Sequence, residues 1–523
     1  MELDQIDNKI SNFFHNPIIF IGVIIVISLI IRLSFFPNFP LTLDSLDYFF
    51  YASDISINQK IPINYTPANN GWPIFLSAFF TIFQFDSVIS YMNLQRMLSI
   101  GISVLTVIPI FFLCKKFFDK NLSLVGAAIF AFEPRLIQNS LFGITDALYL
   151  FLISVTLLTF LGSKKIIYFS FIFASFATLV RSEGIMILIF ISIMFFIKFR
   201  NEKSEFPKFI LAMGIMILIL IPVMIFKQEV SGSDIIFSRS VTAVSVFDQY
   251  MKDGNEYGKS PLFTGIEYFS KYFLWNLIPI FMFFIPIGIF YLFKKMDFRK
   301  SFIIIGIISF SIPAFWAYSL PLQDSRYLFF IYPFLILISL YALEKISMKK
   351  YSNLFLSLIV MGIFASSLIF LEFKMDNNHE RESYLISMEI TKKIKVANSF
   401  PPESKFIEVT KYPEKWNDFI PYFQTDRQHN ISIRNSLQDI QLVDSEKYEN
   451  IKDLIKNAYP KLTHIIVDDT FDKDNYLYHI YENEENYQFL EKVYDSEEHG
   501  FMYHVKMFKI DFDKFYEFYK EKF

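Results

Sequence analysis

The sequence predicts a polytopic α-helical membrane protein of about eleven transmembrane helices, with a C-terminal extracytoplasmic α/β soluble domain. Three observations predict it. Hydrophobic residues make up 53% of the 523-residue chain at a mean hydropathy of +0.36, more than a water-soluble core can bury. Eleven apolar stretches run through the first 375 residues, and none follows them. Charge divides at the same place: residues 376–523 sum to −9, which against −3 overall leaves +6 for residues 1–375. The expected domains are therefore 1–375 in the membrane and 376–523 in water.

The first span is expected at 17–36, because Met1 to Pro17 is polar and the apolar run behind it lacks a small-residue cleavage site. Basic loops at 115–120, 164–165, 198–208, 294–300 and 345–350 mark the cytoplasmic side. Alternation then places the remaining spans near 92–113, 121–138, 144–162, 166–180, 184–199, 207–227, 272–293, 301–319, 326–344 and 352–373. The N-terminus lies inside and the C-terminal domain outside, as in a multi-pass plasma-membrane protein. Trp72 to Phe85 is too short for the ~20 residues a crossing needs and reads as a helix along the outer surface. The pair 166–180 and 184–199 is also short, so its charged turn at Arg181, Ser182, Glu183 and Gly184 sits deep and needs partners.

Beyond Lys374 the pattern becomes that of a soluble α/β domain of about 148 residues. Ile386, Ile390, Ile394 and Ala397 share a helical face, stopped by Pro401 and Pro402, with a strand expected at 405–409. Tyr448 to Ala458 is amphipathic and leads past Pro460 into a buried strand at 462–467, closed by Asp468 and Asp469, a turn or a weak cation site. Residues 490–494 and 502–510 flank a polar connection and predict a hairpin.

The few ionisable residues that interrupt the spans gather at one end of them, and charge near hydrocarbon is costly enough to mark a candidate site for a polar substrate. Asp44 and Asp47 follow the first span at i, i+3 spacing, which puts both carboxylates on one face of a short helix; the plain alternative is a solvated acidic loop. In EPRLIQNSLFGITD, residues 133–146, Pro134 and Gly143 break two spans and Glu133, Arg135, Asn139 and Asp146 crowd the turn. Glu133 and Arg135 can simply pair with each other, and Asp146 can cap the next helix rather than bind a substrate. LVRSEG at 179–184 and QDSRYLFFIYPF at 323–334 each set an arginine, Arg181 and Arg326, at a span edge. A guanidinium there suits phosphate, although arginines snorkelling at helix ends are common.

Taken in order, LDSLDY, YTPANNGWPIFLSAFF, LQRMLSIGISVL, EPRLIQNSLFGITDALYLF, LVRSEGIMILI and SRYLFFIYPF resemble the GT-C superfamily of membrane glycosyltransferases. Within it the chain is most similar to the dolichyl-phosphate-mannose protein mannosyltransferase-like group, especially archaeal members, over most of its length. The resemblance implies an inverting transferase that moves a sugar from a polyprenyl (dolichyl) phosphate donor to an acceptor hydroxyl on the outer face. It implies Asp44 as general base with Asp47 as alternative or assistant, Arg181 and Arg326 on the departing phosphate, and Glu133 with Asp146 on substrate hydroxyls. Arg135 and Glu183 complete the set of expected substrate-binding residues. Partners are then the lipid-linked sugar donor, a protein or glycolipid acceptor and membrane lipid, with no nucleic acid.

No glycine-rich phosphate cradle and no HExxH occurs, and all seven histidines are His15 or lie beyond residue 375, so no histidine metal centre belongs to the membrane part. The single Cys114 makes no disulfide or cysteine metal site. No cofactor is required by this reading; the alternative is a divalent cation, Mg or Mn, on Asp44, Asp47 and Glu133. Other functional classes are a transporter or flippase for a lipid-linked or anionic solute, which would commonly carry paired repeats and midplane breaks, and a non-catalytic membrane scaffold. Sequons at Asn64 and Asn430 are outward in this topology.

Overall fold

The computed structural model describes residues 17–41, 44–62, 69–85, 88–231, 261–320, 322–347, 352–390, 396–399, 422–425, 431–434, 441–444, 448–460, 462–469 and 475–520. These form two compact units: residues 1–36, 61–78 and 95–375 in one, and residues 37–60, 79–94 and 376–523 in the other. The expected strand at 405–409 and both sequons lie outside the described residues.

Helices of the first unit are α1 (Pro17–Ser34), α4 (Val88–Leu105, from residue 95), α5 (Val107–Cys114), α6 (Lys120–Phe132), α7 (Pro134–Leu141), α8 (Asp146–Phe160), α9 (Phe169–Val180), α10 (Ile185–Phe199) and α11 (Phe206–Ser231). After these come α12 (Pro261–Leu277), α13 (Phe284–Phe293), α14 (Phe298–Ser319), α15 (Tyr332–Ile346) and α16 (Ser352–Lys374). Seven stretches among the described residues are long and apolar enough to cross a bilayer, with shorter apolar helices beside them. Lipid-type surfaces are plain in α1 and α11, where Ile18, Ile19, Val26, Leu211 and Leu218 stay exposed.

α6 is the hub, packing on α1, α5, α15 and α16. Every residue from Leu122 to Phe132 is buried, and the small Gly126, Ala127, Ala128 and Ala131 let neighbouring helices approach closely. Cys114 fills space against this helix and is an inert packing thiol.

The expected single span at 272–293 is corrected. Helix α12 begins eleven residues earlier, at Pro261, and ends at Leu277; the chain leaves helical geometry before α13. Pro279 explains the break, since it has no N–H to continue the ladder and disfavours helix in the residue before it. Residues 326–344 likewise open as a 3-10 segment, Ser325–Ile331, ahead of α15.

In the second unit, α2 (Asp44–Asn58) packs Phe49 against Phe80 of α3 (Gly71–Ile82), with ring centroids 5.6 Å apart. The C-terminal residues form α17 (Asn378–Ile390), α18 (Ile451–Ala458), α19 (Tyr476–Glu482) and α20 (Phe512–Tyr519) around a five-stranded mixed sheet. Its order is β4 (Gln441–Asp444), β1 (Val396–Ser399), β5 (His464–Asp468), β7 (Val505–Ile510), β6 (Leu490–Asp495); β4, β1 and β5 run parallel, and β7 is antiparallel to both its neighbours. β2 (Tyr422–Thr425) and β3 (Ile431–Arg434) make a separate antiparallel pair. The β5 strand, the hairpin β6–β7 and the amphipathic α18 fall where the pattern predicted them. The helical face did not extend to Ala397: that residue is strand, paired with Leu442 and His464. A β-branched residue, Val396, opens a strand that inter-strand hydrogen bonds stabilise, and local periodicity cannot register such a partner.

Asp468 is fully buried and accepts the Tyr503 hydroxyl, while Asp469 occupies the turn after β5 with His504 Nδ1 at 3.7 Å. Burial pushes the Asp469 carboxyl above the ordinary range, and the His504 charge opposes this.

Candidate active site

Both 3-10 turns that carry an arginine sit where a helix ends. α9 stops at Val180, Arg181 takes an extended backbone, and Ser182–Gly184 turns the chain into α10. Gly184 is required here, because a Cβ would stand 2.5 Å from the Thr178 Cα of α9. Arg181 is 9% exposed. Its Nη1 meets Asp146 Oδ1 at 2.5 Å and its Nη2 meets Glu183 Oε1 at 2.8 Å. Its guanidinium also lies 4.9 Å from the Phe330 ring, which stands edge-on to Tyr149.

Asp146 opens α8 without capping it: the N-cap is Thr145, and no side-chain cap bond is made. Its carboxylate is instead fully buried, accepting from Asn139 Nδ2 at 2.9 Å and from Thr145 at 3.4 Å besides Arg181. A buried carboxylate needs this many partners to remain charged. The turn feeding it depends on Gly143 at φ +71°, whose carbonyl accepts Trp72 Nε1 at 2.9 Å and Gln95 Nε2 at 2.8 Å.

Arg326 opens the second turn. Asp324 caps it, taking the Arg326 N–H at 2.9 Å and the Nε at 2.6 Å. Tyr318 donates to the Asp324 carbonyl at 2.8 Å. Arg181, Glu183, Asp324 and Arg326 all lie within electrostatic reach of the Tyr327 hydroxyl. The two arginines, far apart in sequence, are thereby brought to one place.

Glu133 and Arg135 form a neighbouring cluster at the break between α6 and α7. Their pair is long, 3.4 Å, and Arg135 spends its other donors on the carbonyls of Trp275, at 2.6 Å, and Ile278, closing the end of α12. Arg135 is sandwiched by Trp275 and Phe370 at 5.0 and 4.8 Å. Asn276 ties this cluster to the other: its Oδ1 accepts Tyr332 and its Nδ2 donates to the Ser325 carbonyl, one residue before Arg326. Glu133 is fully buried and does not meet Asp146 in a shared bond. Asp44 and Asp47 stand in the first turn of α2 in the second unit, the former exposed and the latter half-buried, where the helix dipole favours their charge. Among the described residues no three His, Cys, Asp or Glu side chains gather to hold a metal.

Sequence reasoning passed over four of these residues. Tyr327, Asp324 and Asn276 become visible only when the turns are folded, although Asp324 stood within the QDSRYLF motif. The fourth is Arg32, fully buried in α1 and bonded through Nε to Ser140, through Nη1 to Ser28 and the Ala131 carbonyl, and through Nη2 to Ser103. It pins α1 to α4, α6 and α7. A lone arginine inside an apolar span was the available signal.

Solved structures share this architecture. The oligosaccharyltransferase of Archaeoglobus fulgidus in the apo form superposes with a TM-score of 0.54 at 13% identity, covering 86% of this chain and 69% of that one. ArnT from Cupriavidus metallidurans in the apo state gives 0.52 at 10% identity, covering 93% and 97%. This chain has the GT-C fold. It is thus a multi-pass membrane protein of that fold. No family model and no curated protein matches the sequence.

Proposed function

We propose that this GT-C protein is an inverting membrane glycosyltransferase that moves a hexose, in the manner of the mannosyltransferase-like group, from a polyprenyl phosphate to an acceptor hydroxyl at the outer face of the plasma membrane. The observation that supports the reading is that the Arg181 guanidinium lies 4.9 Å from the Phe330 ring, on the same 3-10 segment that Arg326 opens, so both arginines belong to one neighbourhood at the ends of apolar helices. Two guanidiniums offer planar, permanently charged forks for a phosphate that departs as the glycosidic bond breaks. A phosphate so stabilised leaves without a proton. The acid assigned to the acceptor proton is Asp44, with Asp47 as its alternative. Asp146 holds Arg181, and Glu133 with Arg135 shapes the flanking cluster that orients hydroxyls.

The oligosaccharyltransferase of the same fold has been solved with an inhibitory peptide and a dolichol-phosphate, and with an acceptor peptide tethered to it. That supports a lipid-phosphate donor and a protein acceptor here, with a glycolipid as the other acceptor class. It has also been solved with Zn and sulfate.

Replacing Asp44 with Asn in the purified protein tests the reading. Loss of a general base lowers transfer roughly 10²- to 10⁴-fold. A flippase or scaffold would be indifferent to the change.

A further inference from the structure

Two carbonyls at the end of α12 lack the N–H that a continuing helix would bring, and one side chain reaches both. Pro279 has no N–H to give the Trp275 carbonyl four residues before it. The Met282 N–H, which a helix would aim at Ile278, bonds to the Leu277 carbonyl at 2.8 Å instead. Arg135 supplies the missing donors, Nη2 to the Trp275 carbonyl at 2.6 Å and Nη1 to that of Ile278. Its guanidinium is buried between the Trp275 and Phe370 rings. Arg135 is thereby built into the end of α12.

Asn276 stands between the two carbonyls that Arg135 anchors, and it is 1% exposed. Its Oδ1 accepts the Tyr332 hydroxyl at 2.9 Å, and its Nδ2 donates to the Ser325 carbonyl at 3.2 Å. Ser325 is the first residue of the 3-10 segment that carries Arg326, and Tyr332 is the residue directly after that segment. One amide from α12 therefore grips both ends of the segment. Such a grip matters here, because the i→i+3 bonds of a 3-10 turn have poorer geometry than those of an α-helix. Tyr318 of α14 holds the preceding residue through the Asp324 carbonyl at 2.8 Å, so the turn is fastened to two helices.

We infer that Asn276 is a positioning residue for Arg326, and that Arg135, by anchoring the end of α12, sets where Asn276 stands. The inference rests on the reading of Arg326 as a ligand of the lipid phosphate. Asn276 acts through the turn and does not touch the phosphate itself.

Binding of undecaprenyl phosphate to the full-length protein in nanodiscs tests this. Asn276→Leu keeps the volume and removes both polar atoms, while Tyr332→Phe removes one arm of the grip. A misplaced guanidinium forfeits about one charge-assisted hydrogen bond, so Asn276→Leu raises the Kd about tenfold, and Tyr332→Phe raises it by less. The same changes are then made in an Arg326→Met background. With no guanidinium left to position, Asn276→Leu alters the Kd there by less than about twofold. An equal loss in both backgrounds makes Asn276 a packing residue and overturns the inference, as does an Asn276→Leu Kd equal to that of the wild type. If the wild type binds no undecaprenyl phosphate, the donor reading fails and the inference falls with it. Should Asn276→Leu not fold, Tyr332→Phe carried through the same two backgrounds decides, by the same pattern at smaller size.

Discussion

Removing the Asp146 carboxylate by Asp146→Ala strips Arg181 of its buried partner. The magnitude follows from the geometry. At 2.5 Å the attraction amounts to about 7 kcal/mol at an effective dielectric constant near 20, and burying each ion costs several kcal/mol. Deleting one member of a buried pair costs about 3–5 kcal/mol, because the survivor is left uncompensated. Glu183, still 2.8 Å from Nη2, places the expected loss at the lower end, about 3 kcal/mol. A double-mutant cycle with Arg181→Met, followed by unfolding in mixed micelles, measures it. The double variant is expected to lose about 2 kcal/mol less than the two single losses together. Losses that add to within about 0.5 kcal/mol would refute the claim that these residues form one unit.

Gly143→Ala puts a Cβ 3.1 Å from Gln95 Cγ and holds an L residue at φ +71°, so stability falls by about 1–2 kcal/mol, read from the same micellar unfolding. Arg32→Met leaves two hydroxyls, on α4 and α7, and a carbonyl on α6 without their shared donor, and a loss of about 2 kcal/mol in micellar unfolding is the expected result. In the soluble residues, burial, aided by the Lys509 charge, depresses the His464 imidazole below its ordinary value. The unfolded chain then takes up the proton first, so stability is present at neutral pH and declines as pH falls through about 6.5 towards the lower folded value. Amide exchange of β5 in the full chain should quicken over that interval, and His464→Phe should remove the dependence.

Much of this was legible before any coordinates. The apolar runs located the helices, Pro134 and Gly143 marked the broken turn that holds Glu133 and Asp146, and a Gly-containing connection marked the β6–β7 hairpin. Composition carries such features because they are set by local chemistry. What escaped was set by partners distant in sequence. Asp146 read equally as a cap or a ligand, since nothing near it in sequence says that Arg181 would arrive from another helix. The break at Pro279 was hidden by an apolar run that looks continuous on both sides. Ala397 sat on a helical face only as long as its strand neighbours Leu442 and His464 were unknown. Arg32 was passed over, because its partners Ser28, Ser103, Ser140 and the Ala131 carbonyl lie mostly on other helices and only the fold brings them around it.

The central claim concerns the donor, and the most direct measurement of it uses proteoliposomes containing the full chain, offered labelled polyprenyl-phosphate sugars one at a time beside soluble nucleotide sugars. The account predicts transfer of label from at least one lipid-linked sugar, abolished by Arg181→Met with Arg326→Met. Label moving from a nucleotide sugar while every lipid donor stays inert would contradict it.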